Sequence, residues 1–234
     1  MFLQSFFVLT YAFKRCLVHP VTGLLSVAWL CGAGMNAHSA MAAQAQVHIV
    51  CLGDSLTAGY QLPADAAFPV VLEKALRAHG LHVEAANAGV SGDTSSGGLE
   101  RLDWSVPEGT DIVIVELGAN DMLRGIDPKV TQTALNTILA RLQSRQIRVL
   151  LAGMRATPSL GKDFQSRFDA VFPDLSEKFQ VPLYPFFLEG VAGQAGMQLA
   201  DGLHPSRAGV ELIVKRILPS VEAIVRAPSA AIKP

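Results

Sequence analysis

The sequence predicts an α/β fold: a three-layer αβα sandwich on a five-stranded, mostly parallel, doubly wound sheet. Three observations carry this reading. Five short apolar runs recur along the chain, segments of helical period separate them, and small or polar residues follow several of the runs. Near-continuous β-branched runs mark strands covered on both faces, as in a parallel sheet. Strand alternating with helix is the pattern of a doubly wound domain.

The first run, His48-Ile49-Val50-Cys51-Leu52, ends at Gly53. A face of Phe68, Val71, Leu72, Ala75 and Leu76 follows at helical spacing, and residues 83–88 form a weaker second strand. The strongest strand spans 111–117, with Ile112, Val113, Ile114 and Val115 in succession. Val130, Ala134, Leu135, Ile138 and Leu142 then make a second helical stripe before a fourth strand at 148–152. Phe164, Phe168, Val171, Phe172, Leu175 and Phe179 make a third stripe. A short fifth strand at 181–184 contains Pro182, which favours a sheet edge because it lacks an N–H to donate. Val210, Ile213, Val214 and Ile217 mark the last helix. The tail, residues 227–234, has no periodicity and is expected to fray.

The first forty residues read differently. Residues 1–42 hold Lys14 and Arg15 but none of the 20 acidic residues. The stretch 21–34 is apolar except for Thr22 and Ser26, and Ala40-Met41-Ala42 offers a small-residue exit. A basic start, a short apolar run and an Ala-x-Ala exit form a secretory signal, whereas a span needs about 20 apolar residues. The apolar stretch before Lys14 is unusual for a signal, so a later start or an uncleaved anchor are the other readings. The expectation is a signal peptide over 1–42, a domain over 43–226, and a periplasmic or secreted location.

Residues 43–234 carry 17 basic and 20 acidic side chains, a net charge of −3, with no basic stripe to neutralise phosphates. That argues against a nucleic-acid partner. Cys51 is the one cysteine left after the leader, so no internal disulfide forms, and its apolar run makes it a buried small hydrophobe.

In a doubly wound sheet, ligands bind beyond the carboxyl ends of the strands. After the first strand comes Gly53-Asp54-Ser55-Leu56-Thr57-Ala58-Gly59-Tyr60. Its serine sits at a strand-to-helix junction with hydroxyl and N–H toward the crevice, although Asp and Ser are equally at home capping a helix. The second strand leads into Asn87-Ala88-Gly89-Val90-Ser91-Gly92-Asp93-Thr94, where a glycine lets backbone approach a ligand or simply makes a flexible connection. After the third strand, Asn120 in Gly118-Ala119-Asn120-Asp121 can offer its amide to an oxyanion, or it can cap the next helix.

Asp201-Gly202-Leu203-His204-Pro205 supplies the remaining chemistry. A nucleophilic serine needs a base with a near-neutral pKa, and that base needs an acceptor to fix its tautomer. Of the histidines beyond the leader, His48 opens a strand, and His79 and His82 flank a helix end at Gly80. His204 alone has an acidic neighbour in a loop before a helix. Rival chemistries fit poorly: no Gly-Lys-Ser/Thr triplet marks a P-loop, the glycine spacing is not that of a dinucleotide site, and Thr57 replaces the last glycine of a G-x-S-x-G elbow. No Cys/His or carboxylate cluster has metal-ligand spacing.

These four segments resemble the SGNH, or GDSL, hydrolase family over most of residues 47–220. The resemblance is nearest to its bacterial periplasmic multifunctional esterases, of thioesterase I/protease I/lysophospholipase or arylesterase type. It implies an SGNH-hydrolase, flavodoxin-like sandwich with Ser55 as nucleophile, His204 as base and Asp201 as its orienting partner. It also implies an oxyanion hole of Ser55 N–H, Gly89 N–H and the Asn120 amide, with no metal or organic cofactor. The expected partner is a small acyl ester or thioester, with no nucleic acid, no stable membrane association after leader cleavage, and a monomeric state. Residues 153–161 depart from the subgroup: Ser159 and Leu160 stand where a polar/aromatic pair is expected, which bears on chain-length preference and leaves the triad untouched. The leucines of 188–199 and Met197 suit either an acyl cleft or ordinary packing. Alternatives to acyl-ester hydrolysis are cleavage of polysaccharide O-acetyl groups or peptides, and a lipid- or glycan-binding domain without chemistry.

Overall fold

A computed structural model of the chain describes residues 45–228. The leader at 1–42 and the end of the tail lie outside those residues, as do Cys16 and Cys31.

The five apolar runs form β1 (Val47–Gly53), β2 (Val83–Gly89), β3 (Ile112–Glu116), β4 (Arg148–Ala152) and β5 (Leu183–Tyr184). They pair in the order β2-β1-β3-β4-β5, and every pair is parallel, so the mostly parallel sheet expected from sequence is wholly parallel. β1 and β3 are covered on both faces, as their unbroken β-branched runs require: residues 49–53 and 112–116 are all buried. β2 and β5 are the edges. β2 alternates and is half exposed, and β5 keeps two residues beside Pro182.

The helices are α1 (Ser55–Ala58), α2 (Phe68–Ala78), α3 (Ser95–Glu100), α4 (Leu102–Ser105), α5 (Ala119–Leu123), α6 (Pro128–Ser144), α7 (Lys162–Phe179) and α8 (Arg207–Arg226). α2 packs on α8, while α6 packs on α3 and α7. The chain winds from β1 to β2, then crosses back to β3. Right-handed crossovers in opposite directions put the α2/α8 and α3/α6/α7 groups on opposite faces. Among the described residues no helix is long and apolar enough to cross a membrane.

One stripe differs from expectation. α6 buries Thr131, Ala134, Leu135, Ile138, Leu139 and Leu142, whereas Val130 is 45% exposed. Asp127 caps this helix through Lys129 N–H, which sets its phase and leaves Val130 on the flank of the buried face. In α7 the stripe holds as read for Phe168, Val171, Phe172 and Leu175, with Phe164 and Phe179 packed against its margin. Cys51 is free and buried, and burial, with Glu116 nearby, pushes its thiol well above the usual range.

The register fixes the site. Gly53 pairs with Gly89 on one side and Glu116 on the other, and Glu116 pairs with Ala152. Four strands thus end level, and each loop leaves from the same rim. The reversal of winding falls between β1 and β3, where a crevice opens.

The aromatic face of α7 supports that rim. Phe168 is fully buried, edge-on to Phe172 at 5.7 Å, and both rings underlie Gly118, where a Cβ would meet Phe172 Cζ at 3.2 Å. Phe168→Ala is expected to cost about 3–5 kcal/mol, read as a lower urea midpoint at unchanged m-value.

Candidate active site

β1 cannot continue past Gly53. Asp54 leaves the strand and caps a single helical turn, its Oδ1 accepting Leu56 N–H at 3.0 Å, and Gly59 ends that turn at φ 79°. Ser55 therefore occupies the first helical position, where the backbone N–H has no partner inside the helix. Its side chain is largely buried, at 7% exposure, with Oγ turned toward the crevice.

His204 Nε2 lies 2.9 Å from Ser55 Oγ, closing a separation of 149 residues. On the other side of the ring, Nδ1 is 2.7 Å from Asp201 Oδ2. Asp201 Oδ1 also accepts the N–H groups of Leu203 and His204 at 2.8 and 3.0 Å. Those bonds, led by the His204 N–H, pull its carboxyl down to about 2, so it stays anionic. The turn is anchored where Leu199 N–H meets His204 carbonyl at 2.8 Å and Ser206 N–H meets Met197 carbonyl at 2.8 Å. The Asp/His couple and the serine, far apart along the chain, thus meet at one rim of the sheet.

Asn120 reaches the same crevice from α5, but its amide already bridges two groups. Nδ2 donates to Asp54 Oδ2 at 3.0 Å and to the Asp93 carbonyl at 2.9 Å. The expectation for Gly89 requires correction. Its N–H donates to Asn87 Oδ1 at 2.9 Å, so it is committed within the chain. Glycine is needed there for space: a Cβ would sit 2.3 Å from Ala58 N and 2.8 Å from Asp54 O. The next glycine in that loop, Gly92 at φ 87°, has an N–H with no hydrogen-bond partner among the described residues.

Two supports escaped sequence reasoning. Arg101, 6% exposed, donates through Nη2 to Gly53 O and through Nη1 to Ala88 O, both at 2.8 Å, and through Nε to Asp93 Oδ2 at 2.5 Å. It ties the ends of β1 and β2 to the loop beside Asn120. A lone arginine between Leu99 and Leu102 is the only sequence signal for it. Glu116, fully buried, accepts the Thr57 hydroxyl at 2.7 Å through Oε2, with Asp54 N–H at 3.4 Å, while its Oε1 has no hydrogen-bond partner among the described residues. Burial first, and Asp54 second, push its carboxyl well above the usual range. Burial likewise lifts Asp54 to about 6, against the pull of Leu56 N–H and Asn120.

A cleft of about 400 Å³ opens from this rim, with Ser55, Asn120 and His204 at its polar end. Met122, Leu123, Met154, Phe186, Leu188 and Leu203 give it apolar walls. Arg155 and Thr157 of the divergent 153–161 loop line it too, whereas Leu160 packs against the core. Leu188 faces the cleft, but Met197 belongs to the packing beneath.

Residues 51–212 match the model of the GDSL-like lipase/acylhydrolase family. The chain belongs to that family. An arylesterase of Vibrio mimicus is 41% identical over 165 residues, 70% of this chain and 82% of that protein. The thioesterase 1/protease 1/lysophospholipase L1 of Escherichia coli K12 is 35% identical over 178 residues, 76% of this chain and 84% of that one. Among solved structures, AlinE4, an SGNH-hydrolase family esterase, superposes with a TM-score of 0.66 at 43% identity, covering 79% of this chain and 99% of its own.

The raised Glu116 carboxyl makes stability depend on pH. The fold binds this proton more tightly than the unfolded chain, where the carboxyl ionises near 4.5, so raising the pH above that value favours unfolding. Glu116→Gln removes that proton difference. Its melting temperature is expected to fall less than the parent's between about pH 5 and 8; parallel curves would mean that Glu116 is ionised in the fold.

Proposed function

We propose that this chain is a serine hydrolase cleaving carboxylic esters and thioesters of acyl chains through an acyl-enzyme on Ser55. The observation that carries the reading is the continuous relay of Asp201, His204 and Ser55 at 2.7 and 2.9 Å. Membership of a lipase/acylhydrolase family and relatives named arylesterase and thioesterase support it.

His204 Nε2 takes the Ser55 proton as Oγ attacks the carbonyl carbon, and Asp201 steadies the imidazolium through Nδ1. Electrons displaced onto the carbonyl oxygen meet Ser55 N–H, with the Asn120 amide turning one donor from the Asp54–Asp93 bridge toward it. The third donor is Gly92 N–H, one residue from the Asp93 carbonyl that Asn120 holds, in place of the committed Gly89. Imidazolium then protonates the leaving alcohol or thiol, and water repeats the cycle on the acyl-enzyme. The residues present complete this cycle without a metal or organic cofactor. The apolar walls favour an acyl chain over a sugar O-acetyl group.

The rest of the reading follows the sequence. Residues 1–42 act as an export signal, the 43–226 domain works in the periplasm or outside the cell as a monomer, and 227–234 is a tail.

A fluorophosphonate probe should label Ser55, located by peptide mass spectrometry, with labelling lost in His204→Ala. Adduct at another serine would overturn the assignment. Asn120→Ala is expected to lower kcat about 10²–10³-fold; a change of only a few-fold would remove Asn120 from the oxyanion hole. Because the base works in its neutral form while Asp201 stays ionised, kcat/KM should rise with pH between 5 and 8. A flat profile there would rule out an imidazole base.

A further inference from the structure

Two hydrogen bonds do not fix an imidazole. The bonds of His204 to Asp201 and Ser55 run from opposite sides of the ring, and the ring remains able to rock about the line joining them. The backbone bonds hold the turn but not the ring: His204 N–H donates to Asp201 Oδ1 and its carbonyl accepts Leu199 N–H, and neither bond stops the imidazole rocking about that line. A contact on the ring's face is what would stop the rocking.

Tyr60 makes that contact. Its ring lies 4.4 Å from the His204 ring, centroid to centroid, at 38° between planes. Tyr60 is 40% exposed, stands outside the apolar core, and its hydroxyl has no hydrogen-bond partner among the described residues. Neither packing nor hydrogen bonding therefore accounts for its placement. Its backbone is tied to the nucleophile, because Tyr60 N–H donates to the Ser55 carbonyl at 3.1 Å, just after Gly59 N–H does so at 3.2 Å. A closed circuit results: Ser55 Oγ to His204, His204 ring to Tyr60 ring, and Tyr60 N–H back to Ser55 O.

We propose that Tyr60 is a positioning residue: its ring holds the His204 imidazole in the plane shared by Ser55 and Asp201, and its π-face favours the imidazolium formed during turnover. The inference rests on the hydrolase reading. An aromatic face attracts a cation within about 6 Å of its centroid. The other charged or titratable groups around this ring are Asp201 on its own turn, Asp54 behind the serine and Arg155 on the cleft wall. Substitution of Tyr60 leaves all three in place.

The test compares Tyr60→Leu, Tyr60→Phe and the parent on a soluble p-nitrophenyl ester, with kcat and KM measured from pH 5 to 9. For Tyr60→Leu, kcat is expected to drop about 10–100-fold, a loss typical of a misplaced reacting group, while KM stays within a few-fold. The acidic limb of its kcat/KM profile should move about half a pH unit lower, since losing the π-face disfavours the protonated ring. Tyr60→Phe keeps the ring and should stay within a few-fold of the parent with its limb unmoved. Three results would overturn the proposal: a Leu variant of near-parental kcat, a loss confined to KM, or a Phe variant as impaired as the Leu variant. A parent that hydrolyses no ester and takes no fluorophosphonate would instead overturn the hydrolase reading itself.

Discussion

The pairing of Gly53 with Glu116, side by side at the carboxyl rim of the sheet, is the constraint from which the chemistry hangs. Parallel register makes β1 and β3 end together, and the reversal of winding between them leaves a crevice that no crossover covers. Ser55 leaves from one wall of that crevice and Asn120 from the other. A slip of one residue would reverse the faces of either strand and carry Ser55 away from the side chains it meets. Covering both strands on both faces is what makes such a slip costly.

The junction under the serine is held by groups that a plain core would avoid. Glu116 and Asp54 are both buried; burial raises both carboxyls, and Asp54 raises that of Glu116 further. An unpartnered Oε1 in the interior lacks a hydrogen bond that water would have supplied. In return, Oε2 fixes Thr57, two residues along α1 from Ser55. Arg101 works on the opposite side as a rigid fork, joining two strand ends and the Asp93 loop with a group that stays charged. The tight turn around Ser55 is thus determined by its surroundings more than by its own conformational preferences.

His204 is held differently. Asp201 and His204 sit on an exposed turn, three residues apart, so their mutual geometry is local, but their distance from Ser55 depends on how the turn docks. The backbone bonds of Leu199 and Ser206 and the start of α8 set that docking. A largely buried Ser55 thus meets His204 on a less buried turn, in a cleft whose apolar walls come from several loops.

The order of strands and helices was legible in the residues because period and β-branching are local properties. The edge position of β5 showed in Pro182, and β2 read as the weaker run without its place at the edge. The positions of Ser55, Asn120, Asp201 and His204 were legible too, since each follows a strand end or precedes a helix in a short recognisable segment. What a local pattern cannot carry is the partner of a hydrogen bond reaching across the fold. Strand and helix periods also leave out short-range side-chain bonds: Asn87 takes up Gly89 N–H from two residues away, and Asp127 caps α6 and sets the phase that exposes Val130. Arg101 meets Gly53 across 48 residues, and Thr57 meets Glu116 across 59. The contact of Tyr60 with His204 likewise exists only once the sheet has closed. By itself the sequence determined which residues stand at the rim; tertiary structure alone decided which of their donors are spent and which stay free, because that depends on contacts between segments distant along the chain.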